Sequence, residues 1–284
     1  MVTTFRVRHA TATLTSVFTL FTLSALVALP AAAASPDRAS PDRASPDRAS
    51  PDRASPDRAR KLLDRVDDLW RGRTSQAKLQ MHVKTKYYER KLAMKAWSKG
   101  KDQSLVRILS PRREKGMATL KNGKQIYTWL PRTARVIRLS GAMMGSAWMG
   151  SHFSNDDLVK ESRMAEDYTF KIAFEGKERG TDIIRIDMIP KKNAAVVWGK
   201  VTLTVDAKTQ LPLRSLYFDE KGKLARTMTW SDVKPFGKRR LPAKMRMTPA
   251  DKPGEFTEMT YTELKFDVAL DNAFFSVSRL KRRR

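Results

Sequence analysis

The chain contains no cysteine, which excludes disulfides, thiol nucleophiles and thiolate metal sites without identifying a compartment. Histidine is nearly as scarce, with three among 284 residues. Beyond the N-terminal segment only His82 and His152 remain, too far apart in sequence for an i, i+4 metal pair, so neither a metal nor a cofactor is expected. No Gly-Lys-Ser/Thr phosphate loop and no G-x-S-x-G elbow occur, which removes the usual sequence marks of a nucleotide-driven machine and of a hydrolase. Acidic residues are the remaining shortage: 30 Asp+Glu against 56 Lys+Arg leave a formal charge of +26. Such an excess seeks anionic surfaces, which an exported chain meets as lipid headgroups or acidic transporter faces rather than as nucleic acid.

Long apolar runs are confined to the N-terminus. Arg6 and Arg8 precede an uncharged stretch over 10–29, and Pro30 is followed by alanines at 31–34. This order of basic, apolar and small residues predicts a cleavable signal peptide over 1–34 and a periplasmic mature protein. Over 35–59 the pentapeptide SPDRA is repeated without variation. Recurrent proline and no large apolar side chain predict a semi-extended, charge-neutral spacer. Residues 60–284 are then expected to form one domain.

Ser55 and Pro56 read as the start of a helix that carries Leu62, Leu63, Val66, Leu69 and Trp70 on one stripe and stops at Gly72. Almost everything after it alternates with period two. Strands are expected from 77 to 87 and over 92–97, 103–109, 117–121, 125–130, 134–139, 168–175, 183–189, 199–205, 213–218, 223–231, 243–247 and 256–266. Asn122-Gly123 is a strong hairpin signal. So many strands with one long helix predict a mainly β fold, a single large curved antiparallel sheet. It would be a half-open, incomplete barrel with the N-terminal helix and a short helical lid on its concave side.

The stretch 116–162 stands apart. It contains YTWLP, ARVIRLS, MMGSAWMGS and an F-x-x-x-D-L element in order, and its loop is too apolar to lie uncovered yet too broken by Gly and Ser for a core element. Met143, Met144, Trp148, Met149 and Phe153 are the candidate lid, since methionine fills irregular space and tryptophan covers much of it. Gly141, Gly145 and Gly150 are the candidate hinges. Leu79, Met81, Val83, Met94, Ile108, Ile126 and Trp129 are the candidate cavity wall, although alternation alone does not say which set of side chains faces inward. Ser151, His152, Ser154, Asp156 and Asp157 also cluster here, but sequence neighbours do not converge as a triad must, so no enzymatic activity is expected.

These motifs resemble the outer membrane lipoprotein-sorting proteins, the LolA-like superfamily. The resemblance implies a half-closed barrel that shelters the acyl chains of a lipoprotein or another lipid during passage across the periplasm. It also implies a transient contact with an anionic membrane surface or a membrane transporter. A monomer is the expected state. Relatives of this kind also act as lipid-sensing regulatory modules and as accessory proteins of lipid exporters, which is the alternative role.

Overall fold

The computed structural model describes residues 56–160, 164–192, 194 and 196–282. The signal-peptide and SPDRA readings fall outside these residues. Helix α1 (Pro56–Asp68) leads into β1 (Thr74–Lys84), β2 (Glu89–Lys99), β3 (Gln103–Ser110), β4 (Ala118–Asn122), β5 (Gln125–Leu130) and β6 (Arg135–Arg138). After the segment carrying the short helices α2 (Asp157–Lys160) and α3 (Met164–Asp167) come β7 (Tyr168–Glu178), β8 (Thr181–Pro190), β9 (Lys200–Asp206) and β10 (Pro212–Phe218). The chain ends with β11 (Leu224–Phe236), β12 (Arg239–Pro249), β13 (Phe256–Phe266) and α4 (Val277–Lys281).

All 13 strands form one antiparallel sheet in the order β6-β5-β4-β3-β2-β1-β13-β12-β11-β10-β9-β8-β7. The first and last strands therefore meet in the middle, and two meanders spread from that seam as wings. The edges, β6 and β7, do not pair, so the sheet stays an open half-barrel. They are consecutive in sequence, which obliges the connecting segment to travel from one edge to the other. It crosses the concave side, where Trp148 and Phe153 join the main apolar core.

Register fixes which side chains face inward. Ala77 pairs with Ala96, Leu79 with Met94 and Met81 with Leu92. On the other wing Met81 meets Met259, which in turn meets Met245. Because directly opposed residues share a face, this set lines the concave side. Helix α1 lies on it through Ala59, Leu62 and Leu63, each buried and worth about 1.5–3 kcal/mol for the larger two. The Arg58 guanidinium grips Glu175 of β7 at 2.7 and 2.8 Å. Past its C-terminus the Trp70 indole donates to Pro242 O at 3.0 Å. Gly72 stops the helix with a φ of +56°, and a Cβ there would press against Phe266 at 3.1 Å.

Strands β11 and β12 run longer than expected. Their extra pairs, Val233 with Pro242 and Pro235 with Arg240, lie where neither β10 nor β13 pairs with them. The hairpin projects beyond its neighbours there, so the missing proline N–H groups cost no ladder bond.

Helical cover is not confined to the concave side. Leu105, Ala118 and Leu120 form a second cluster with Phe275 and Leu280 from the C-terminal segment. These strand residues have the opposite parity to the concave set, so this cluster lies on the convex face.

Candidate functional site

Between α1, the middle of the sheet and the crossing segment lies an inner cavity of about 220 Å³. Leu63, Val66, Leu79, Val106, Leu203 and Met245 supply much of its apolar wall, and Trp148, Leu158 and Met164 close it from the crossing segment. One region of the lining is polar, with Asp67, Arg71, Lys101 and Lys121. Burial pushes the Asp67 carboxyl up to about 6 against the opposing pull of Arg71 and Lys101. A second, outer groove of about 780 Å³ runs past Met117, Ile137, Leu139, Met143 and Met149, with Tyr88, Arg90, Arg113 and Arg132 also in its walls.

Trp148 lines both spaces. The side chain is 3% exposed, and its indole N–H donates to Thr119 Oγ1 at 3.1 Å. One ring is thus common to the walls of both spaces. The surrounding loop is tightly wound. Trp148 N donates to Phe153 O at 2.7 Å, and the Ser151 hydroxyl donates to Trp148 O at 2.7 Å. Met149 and Gly150 both have positive φ, 49° and 63°. For Met149 this is an uncommon conformation that the surrounding bonds must maintain.

Further polar contacts pin this segment to the sheet and its turns. The Tyr88 hydroxyl donates to Gly150 O at 2.5 Å, and Arg90 donates to Met149 O while pairing with Glu114 at 3.2 Å. His152 N donates to Thr257 Oγ1 at 3.0 Å, and its ring lies 2.8 Å from the same oxygen and 3.1 Å from Glu255. Arg226 of β11 grips Asp157 in a buried bidentate pair at 2.8 and 2.5 Å. Its guanidinium lies over the rings of Trp198 and Tyr217, 4.3 and 4.4 Å from their centroids. Ser151 and His152 each bond a different partner, whereas Asp157 also accepts from the Ser154 amide and hydroxyl at 2.7 and 3.0 Å.

The sequence-predicted lid residues separate by depth. Trp148 and Phe153 are buried in the core, Met149 lines the outer groove, and Met143 lies at its rim with 39% exposure. Met144 is half-buried, and its carbonyl accepts from Asp156 N at 2.8 Å. Of the three glycines only Gly150 is demanded by its surroundings. Besides its φ, a Cβ there would meet the Tyr88 hydroxyl at 3.3 Å, whereas Gly141 and Gly145 face open space.

Of the predicted wall, Leu79 lines the inner cavity, while Met81, Val83, Met94 and Ile108 share its face but are fully buried in solid core. Ile126 pairs with Lys121, a cavity residue, and shares its face. Trp129 is a correction: it pairs with Ala118 and joins the convex cluster. Three positions separate it from Ile126, an odd step that sends the two side chains to opposite faces. Sequence reading missed Asp67, Arg71, Lys101, Lys121 and Arg226. A signal existed for Arg226, because it stands at the inward parity of Met228 and Trp230, where a charge breaks the apolar pattern.

Comparison with known proteins places this geometry. A family model described as "Uncharacterized protein" matches residues 100–282, more than half of the chain. A solved domain named as an outer membrane lipoprotein-sorting protein from Vibrio parahaemolyticus is 25% identical. It covers 80% of this chain and 97% of its own, with a TM-score of 0.66. The chain belongs to a LolA-like family. Two further structures share the LolA-like fold. A DUF1329 family protein from Desulfovibrio piger has 24% identity, a TM-score of 0.70 and coverage of 79% of this chain and 98% of its own. A LolA superfamily protein from Nitrosomonas europaea has 21% identity, a TM-score of 0.66 and coverage of 78% and 98%. No curated protein matches the sequence.

Proposed function

We propose that the protein is a periplasmic carrier that shelters acyl chains of a lipid or lipoprotein in its half-barrel and releases them without nucleotide. The observation that carries this reading is the double role of Trp148 as wall of both the inner cavity and the outer groove. Burying a methylene is worth about 0.8 kcal/mol, so a sixteen-carbon chain gains on the order of 12 kcal/mol before ordering costs. A carrier that held all of it would not let go. An indole that reoccupies the space when cargo leaves returns part of that energy, and the polar contacts of residues 149, 150, 152 and 157 re-form at the same time. Export through a signal over 1–34, a spacer over 35–59 and a carrier domain over 60–284 complete the reading. The basic surface would favour brief contact with anionic membranes.

Trp148→Ala tests it by a fluorescent acyl series of increasing chain length. Removing the shared ring joins the two spaces, so the variant is expected to bind longer chains than the native protein and to hold a given chain more tightly. An unchanged length profile with unchanged affinity would remove Trp148 as the gate and the carrier reading with it.

A further inference from the structure

Beside the outer groove is a cleft of about 420 Å³ lined by Arg112, Arg113, Lys115, Pro131 and Arg132. Its walls come from the β3–β4 and β5–β6 turns, which register brings together at one end of the sheet. Four cations surround it, and none of them forms an ion pair among the described residues. The one nearby carboxylate in the turn, Glu114, is held by Arg90 at 3.2 Å. Four like charges around one concavity repel each other, and a multiply charged anion relieves that repulsion. Arginine forks suit tetrahedral, many-oxygen anions, which accept several paired hydrogen bonds at once.

The cleft adjoins a mainly apolar space. Arg113 and Arg132 line both it and the outer groove, whose deeper wall is Met117, Ile137 and Leu139. A cationic vestibule opening onto an apolar slot has the polarity profile of one kind of molecule. We infer that the ligand is an acyl amphiphile with a phosphorylated headgroup, the phosphate held among Arg112, Arg113, Lys115 and Arg132 and the tail lying in the groove toward Trp148. This rests on the groove being a tail site. It adds that the head is recognised by charge, so an uncharged lipid of equal chain length is discriminated against.

The test compares monoacylglycerol phosphate, monoacylglycerol of the same chain and inorganic phosphate, each titrated below micelle formation against the purified chain. The phosphorylated amphiphile is expected to bind about tenfold more tightly than its uncharged counterpart, with the ratio shrinking as salt rises. In Arg112→Glu/Lys115→Glu, both exposed turn positions, the ratio is expected to fall toward one. Equal affinities in the native protein, or a ratio untouched by the double variant, would overturn the headgroup inference and leave the tail groove standing. Failure of both amphiphiles to bind would overturn the two together. Inorganic phosphate binding as tightly as the amphiphile would make the cleft a free-anion site and remove the lipid.

Discussion

The two faces of the sheet are closed in different ways. On the convex face the C-terminal segment presses Phe274, Phe275 and Leu280 onto Leu105, Ala118 and Leu120, and Trp97 meets Phe274 with ring centroids 5.4 Å apart. Its polar group is fully answered: Arg107 donates to Gly116 O, Arg279 O and Leu280 O, two of them at the end of α4. On the concave face the cover is pinned by directional polar contacts over two unfilled spaces. Apolar packing is lost whenever its partners separate, and only burial replaces it. A hydrogen bond or ion pair can be exchanged for one to water or to a ligand, so it opens at lower net cost. Under the proposed carrier function the convex cluster is structural and the concave cover is the moving part.

The strongest test sets one substitution on each face against the other. Phe275→Ala empties a fully buried aromatic position and is expected to cost about 3–5 kcal/mol in denaturant unfolding, with acyl-probe affinity unchanged. Asp157→Ala removes the bidentate partner of a buried guanidinium, and about 3–5 kcal/mol is again expected. Here, however, probe uptake should accelerate and amide exchange at 148–157 should rise. Equal uptake kinetics in the two variants would erase the distinction between the faces.

The ladder of strands was legible because each buries one face, which writes period two into the sequence, and because Asn122-Gly123 turns the chain where alternation pauses. The outer parts of β11 and β12 were not, since Pro235, Arg239, Arg240 and Pro242 interrupt alternation where the hairpin projects beyond its neighbours. The apolar character of the crossing segment could be read from the density of Met and Trp. Its fastenings could not: Arg226 and Asp157 are 69 positions apart, and His152 reaches Thr257 across 105. Only the curvature of the sheet brings them together. The polar part of the cavity was hidden for a similar reason, because Asp67 and Arg71 lie on α1 and just beyond it while Lys101 and Lys121 lie on or beside strands whose inward parity has to be known first.

That polar region gives a test of intermediate size. In Asp67 the folded-state pKa of about 6 lies above the ordinary carboxyl value. Between those two values the folded chain keeps a proton that the unfolded chain has lost. Its stability therefore falls as pH rises through this window and is level above it. Asp67→Asn removes the penalty. At neutral pH the variant is expected to be more stable by on the order of 2–3 kcal/mol, with the gain vanishing below the ordinary carboxyl range. Urea unfolding of both proteins across that range measures the difference. A gain independent of pH would mean that burial of the charge is not its source. On the convex side no such window is expected from Arg107, which stays charged throughout.

The smallest effect should come from the contact between the crossing segment and the β12–β13 end of the sheet. Thr257 is fully buried, and its hydroxyl oxygen takes the His152 amide. Thr257→Val keeps the shape and deletes the acceptor, leaving that amide without its partner at a cost of about 1–3 kcal/mol. The loss should be local, because Tyr88, Arg90 and Arg226 still hold the segment at other points. Exchange at the His152 amide should quicken more than at the Trp148 amide, which bonds within its own loop to Phe153. Uniform quickening across 148–157 would instead show that the cover opens as one piece. The several contacts would then act as a single latch, and the Asp157 and Thr257 variants should differ only in degree.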